Sequence, residues 1–191
     1  MLNLSTVFGE TEMTEMTEMT EMTEMTEMTE QNRQHKIVST INRLPALVRG
    51  QALSLAIGRT VRYMGTSNIF IEKLTTTEAV MRLKNKSAVQ NHIGSIHAAA
   101  MALLAESATG LLVGMSVPDT SVPVIKTLHV DYLKRCQGDI KAVAKLTPSQ
   151  VNDIKTCAKG ELSVQITVTD GNNIEPIQCE MIWAWVPKKR K

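Results

Sequence analysis

The stretch that most restricts what this chain can become is residues 91–110, NHIGSIHAAAMALLAESATG. Eight consecutive apolar residues, Ala98 to Ala105, follow a polar lead-in, and a single carboxylate, Glu106, comes directly after them. Alanine, leucine and methionine are strong helix formers, and no proline interrupts the run. A helix without a polar face cannot lie on a surface, so this one is expected to form the buried axis of the domain. Gly94 and Ser95 make the loop before it, with Ser95 the expected N-cap. The free N–H groups and partial positive charge of a helix N-terminus suit an oxyanion or a phosphate. Asn91, His97 and Glu106 are the polar groups that the apolar surroundings explain least.

Geometry limits what these three can do together. His97 and Glu106 lie nine residues apart. On a regular helix that separation is roughly 900° of turn and about 13 Å of rise. They project from opposite sides, so one helix cannot bring them into one site. Two copies side by side can, and a site built from both groups therefore implies a dimer.

The chain of 191 residues has room for one ordinary domain. Aromatic residues make up only 3% of it, so the core is expected to consist of Leu, Ile, Val, Met and Ala. Charge is divided unevenly. Residues 1–30 hold eight of the 19 acidic residues and no Lys or Arg, which leaves 11 acids against 21 bases in the remainder. Such a balance suits an anionic partner, whether a phosphorylated cofactor, nucleic acid or a membrane surface. The three cysteines, Cys136, Cys157 and Cys179, have no CxxC spacing. Neither a disulfide framework nor a zinc site is expected, and a reducing, cytoplasmic setting fits best. MLNLSTVFGE lacks the basic start and long apolar run of a signal peptide, and the apolar region 98–117 is interrupted by polar residues and glycines, which speaks against a membrane span.

From Thr11 the triplet Thr-Glu-Met repeats six times. A period of three makes no helical stripe, and unpaired like charges repel, so residues 1–32 read as a disordered acidic tail. Residues 33–65 read as a helical extension in two pieces, divided at Pro45 and stopped at Gly65. Its Arg43, Arg49, Arg59 and Arg62 read as a solvated face. Short strands are expected over residues 68–74 and 78–84, and the central helix follows them. Further strands are expected at 111–117, 124–135 and 140–146, with a short helix from Pro148 and a strand over 161–169. Asp170-Gly171-Asn172-Asn173 signals a hairpin into a last strand, 174–186. Asp131 and Tyr132 are candidates to line a pocket. This order predicts an α+β domain in which a curved antiparallel sheet covers a single long helix. Residues 188–191 are a basic tail.

On these residues the chain resembles the hotdog-fold acyl-CoA thioesterases of the phenylacetate-degradation type, above all their relatives with an N-terminal helical extension. In that family an Asn precedes a His by six positions, two small residues follow the His, and an acid stands nine positions after it. Here those positions are Asn91, His97, Ala98-Ala99 and Glu106. The similarity in element order spans residues 66–187, and the motif itself spans 91–110.

The resemblance implies a metal-free hydrolase whose substrate is an acyl-CoA or related thioester, with coenzyme A present only as part of that substrate. It further implies a homodimer or tetramer. The Ala98 N–H would form the oxyanion hole, Asn91 would position water or the carbonyl, and His97 would orient the loop or assist binding. Glu106 of the second subunit would be base or nucleophile. Alanines replace the usual glycine pair and Glu replaces the more frequent Asp, so a hotdog protein that binds acyl-CoA without hydrolysis is the alternative. A hydratase acting on an acyl thioester fits the motif less well. No Gly-rich phosphate loop, HExxH motif or basic-aromatic RNA surface is present, and no nucleic acid or membrane insertion is expected.

Overall fold

The computed structural model describes residues 32–189; the Thr-Glu-Met repeat lies outside the described residues. Three helices come first: α1 (Arg33–Asn42), α2 (Ala46–Thr60) and α3 (Arg62–Thr66). Two strands follow, β1 (Phe70–Leu74) and β2 (Glu78–Leu83), then the long helix α4 (Ala98–Gly114). The remainder is β3 (Ser121–Tyr132), β4 (Ile140–Lys145), α5 (Pro148–Thr156), β5 (Gly160–Ser163), β6 (Gln165–Asp170) and β7 (Ile177–Pro187).

The strands form two antiparallel sheets, ordered β1-β2-β4-β6 and β3-β7-β5. β5 and β6 are one continuous run bent at Val164, so each half pairs with a different sheet. The sequence pattern treats 161–169 as a single strand, and inside-outside alternation does persist through the corner, with Val164 and Val168 both buried. The resulting curved surface packs around α4, which contacts β2, β3, β4, β6 and β7. This is the expected α+β hotdog architecture.

The apolar helix is enclosed as its composition requires. Leu104, Ala105, Ala108, Leu112 and Val113 are fully buried against Met81, Ala142, Ala144 and Met181. Close approach depends on Gly110, where an added Cβ would lie 2.5 Å from the Trp183 ring. The Trp183 indole N–H donates to Thr109 Oγ1 at 2.9 Å, which fixes the ring against this gap. The helix also runs further than its sequence suggests. Leu111–Val113 continue it to Gly114, so the strand expected at 111–117 does not exist. No proline lies between Ala98 and Pro118, Gly110 weakens a helix without ending it, and the apolar run Leu111–Val113 has no periodicity to separate helix from strand.

The expected hairpin is also altered. The Asp170 carboxylate accepts from the backbone N–H groups of Gln137, Asn172 and Ile174. Burial opposes its charge, but these hydrogen bonds prevail and hold the carboxyl below its ordinary range. They shape a turn closed by the Asp170 N–H to the Ile174 carbonyl, beyond which the arms diverge, β6 pairing with β4 and β7 with β3.

The N-terminal helices are stitched to the same core. The Asn32 side chain caps α1 by accepting from His35 N and donates to the Gly114 and Val117 carbonyls at the far end of α4. Ser54 Oγ accepts from Ile71 N, so α2 covers β1 at one edge of the curved sheet. The other edge, β3, carries exposed Val122, Val124, Leu128 and Tyr132 and has no cover among the described residues.

Gly110→Ala is expected to destabilise the protein by about 1–3 kcal/mol through overpacking against Trp183. That loss exceeds alanine's intrinsic helix advantage of about 1 kcal/mol. Denaturant unfolding of both proteins checks it, and an unchanged midpoint would show that the ring yields freely.

Candidate active site

The segment between β2 and α4 is held by its own polar groups. Asn91 Oδ1 accepts from the backbone N–H groups of Ile93 and Ser95, both at 3.1 Å. Asn91 N donates to Ser95 O, and Gln90 bridges to Ile96. Gly94 has φ +74°, a conformation that suits glycine at this reversal. The loop is tied down from outside by Asn85 Nδ2 to Gly94 O and Arg135 Nη2 to Ile93 O. Sequence reasoning missed both residues. Asn85 lies only nine positions from Gly94 but outside the motif's intervals, and Arg135 lies 42 positions from Ile93.

The cap of α4 differs from expectation. Ser95 is buried and donates to Cys136 O. His97 is the N-cap instead, its Nδ1 accepting from Ala99 N at 3.1 Å. His97 O takes the Ala100 and Met101 amides. Between them, the Ala98 N–H has no hydrogen-bond partner among the described residues, and His97 beside it is exposed. An unpaired N–H at the start of a helix is a donor placed where a developing negative oxygen gains from both the hydrogen bond and the helix dipole.

Tyr132, at the end of β3, donates its hydroxyl to Ala98 O at 3.0 Å. Burial, and secondarily Cys179, raises the phenol above its ordinary value, which keeps it a neutral donor. Asp131 beside it lies near the exposed His129 at 3.2 Å and does not reach the loop.

Asn91, His97 and Ala98 are therefore brought together, and Glu106 is not. It sits two turns along α4 on the strip of residues 99, 102, 103, 106 and 110, the positions of the helix interior that solvent still reaches. The residues alone also allow Glu106 an ion pair with Arg82 or Lys84 of a neighbouring strand, but Glu106 forms no ion pair among the described residues, and Arg82 is held by Glu72 instead. Burial raises the Glu106 carboxyl above its ordinary value of 4.5, offset in part by Ser107. The Ser107 hydroxyl is itself buried without a partner of ordinary hydrogen-bond geometry, so burial is the dominant effect. Among the described residues no three His, Cys, Asp or Glu side chains gather as a metal site, and no helix is long and apolar enough to cross a membrane.

A curved antiparallel sheet around one long helix, with an open amide at that helix's start, defines the chain as a hotdog-fold protein. Residues 49–186 match the family described as Domain of unknown function (DUF4442), and the chain belongs to that family. No curated protein is significantly similar to it. A structural-genomics crystal structure superposes with a TM-score of 0.65 at 22% identity, covering 82% of this chain and 100% of that one. A Pseudomonas aeruginosa protein described as a probable thioesterase gives 0.63 at 21% identity, covering 76% and 97%. The Haemophilus influenzae thioesterase HI1161 gives 0.52 at 14%, covering 63% and 80%.

The raised carboxyl makes a signed pH prediction. The folded state prefers protonated Glu106, so the favourable contribution is complete below the unfolded-state value. It is lost as pH rises through the higher folded-state value. Glu106→Gln should therefore match wild type in Tm near about pH 4 and exceed it at about pH 8. A variant that melts lower at the higher pH would show that the ionised carboxylate is stabilised by a partner.

Proposed function

We propose that the protein hydrolyses an acyl thioester, of the acyl-CoA type, at sites shared between two copies of the chain. The observation that carries this reading is a pair of groups without partners among the described residues: the Ala98 N–H and the desolvated Glu106 carboxylate. They lie on one helix yet too far apart to meet. A second subunit packed along the reachable strip of α4 supplies Glu106 to the first subunit's loop. The uncovered β3 edge, with its exposed valines and leucine, offers the continuous strand pairing that would hold two copies together. The names of the similar thioesterases point the same way.

In this mechanism the thioester carbonyl oxygen accepts from the Ala98 N–H. Glu106 of the partner subunit removes a proton from water as the oxygen of that water adds to the carbonyl carbon. Negative charge moves to the carbonyl oxygen, where the amide and helix dipole stabilise it. Collapse breaks the carbon–sulfur bond, and the proton held by Glu106 passes to the departing sulfur. A carboxyl raised by burial suits this exchange, because its proton affinity lies nearer neutrality. Asn91 and His97 keep the loop and first amide in position. The setting is the reducing cytoplasm, and no metal or further cofactor takes part.

One observation favours binding without turnover. His97 Nδ1 already occupies the Ala99 amide, which leaves a single open donor, and Ala98 and Ala99 add methyl groups where the related enzymes have glycine.

Glu106→Ala is expected to lower free-thiol release from acyl-CoA esters by about 10²–10⁴-fold. Equal rates in both proteins would remove Glu106 from the chemistry, and no release by either, with saturable binding retained, would select the binding reading. Leu128→Lys on the β3 edge should shift the protein toward monomer in sedimentation and abolish turnover with it. A fully active monomer would rule out the shared site.

A further inference from the structure

The helical extension is apolar on two sides. On α2, Gly50, Leu53 and Ile57 turn inward and are buried. The opposite side holds Leu47, Val48, Gln51, Leu55 and Arg59, all exposed, within an arc of about 120° on a regular helix. Leu47 is 90% exposed and Leu55 59%. Single apolar residues are ordinary on a protein surface, but a helix lying on a domain is expected to turn a polar face to water. Here the outward arc is apolar at three of its five positions, and exposed Leu44 precedes it at the corner with α1. That corner is held in place, the Arg49 guanidinium donating to the Leu44 carbonyl at 3.1 Å.

Charge restricts what can cover this arc. From Gln31 to Ile71 the chain has no acidic residue and six bases: Arg33, Lys36, Arg43, Arg49, Arg59 and Arg62. Of the six, Arg33 alone enters an ion pair among the described residues. Arg59 and Arg62 line a groove of about 590 Å³ together with Leu55 and Phe70, so bases and apolar side chains stand side by side on one surface. A second copy presenting its own equivalent face would set like charges against each other. An anionic bilayer supplies both complements at once, phosphates at its surface and an apolar boundary just beneath them. With 15 residues α2 falls short of the about 20 that a crossing requires, and a helix of this kind lies along the surface.

We propose that the outward face of the extension docks on an anionic membrane surface, with Leu47, Val48 and Leu55 entering the headgroup boundary and Arg43, Arg59 and Arg62 meeting lipid phosphates. The contact is peripheral and does not depend on the hydrolytic reading. None of these residues lies on β3, the edge offered to a second copy, so docking and pairing use different parts of the chain.

Vesicle sedimentation with the full chain tests this. Phosphatidylcholine vesicles containing phosphatidylglycerol should carry the protein into the pellet, and pure phosphatidylcholine vesicles should leave it in solution. Leu47→Gln combined with Leu55→Gln should weaken the partition by about tenfold or more. Both positions are exposed and glutamine is a good helix former, so the unfolding midpoint should stay where it is. Arg59→Gln combined with Arg62→Gln should weaken the partition to a similar extent and flatten its dependence on salt. No capture by the phosphatidylglycerol vesicles overturns the inference, whether an acidic protein, a second copy or the chain's own acidic residues 1–30 then meets the face. Self-association that the leucine variant loses, without capture, would single out the second copy. Capture that the leucine variant retains in full also overturns it, because attraction by charge alone needs no docked apolar face.

Discussion

A helix with no polar face has to be surrounded, and this requirement shapes the rest of the molecule. A flat sheet would cover one side of α4 and leave the other in water, so the strands must curve round it. The bend at Val164 accomplishes this by passing one continuous strand from β7's sheet to β4's. Small residues then set how tightly the layers close. Gly110 admits the edge of Trp183, and the Trp183–Thr109 hydrogen bond satisfies the indole in the otherwise apolar interior.

Enclosure on nearly all sides also dictates where chemistry is possible. The N-terminus of α4 reaches the surface through the loop braced by Asn91, Asn85 and Arg135, and there an amide is left open. Along the helix, the narrow strip containing Glu106 is the other reachable part, and its partly buried carboxylate has no counterion among the described residues. The proposed second subunit would answer both conditions together. The charge distribution follows the same division: the extension covers the β1 edge and contributes bases without acids, so positive charge collects on that side of the fold.

Much of this was legible from the residues. Alternation in 140–146 and 161–169 gave strands whose inward faces are the buried ones, and Pro148 does open a helix, capped by Thr147 with Gln150. Three local readings failed for a common reason. Leu111–Val113 are helical, because an all-apolar run carries no period and its state is set by what surrounds it. Ser95 turned inward to Cys136, a partner 41 residues away, and ceded the cap to His97. Beyond the Asp170 turn the arms part to β4 and β3, strands distant in sequence, while the Asp170 carboxylate ties the turn to Gln137 on a different loop. Tyr132, a pocket candidate from its strand, and Arg135 reach the loop only through the return of β3, and nothing in the sequence marks Arg135.

The sequence alone determined that a greasy helix would be the axis, that sheet would cover it, and that Asn91, His97 and Glu106 could not all act from one copy. Those conclusions follow from composition, periodicity and helix geometry, which are local properties of the chain. Tertiary structure decided which amide stays open, which residues brace the loop and which arginines face a groove, because each depends on partners brought together from distant parts of the chain by the closing of the sheet.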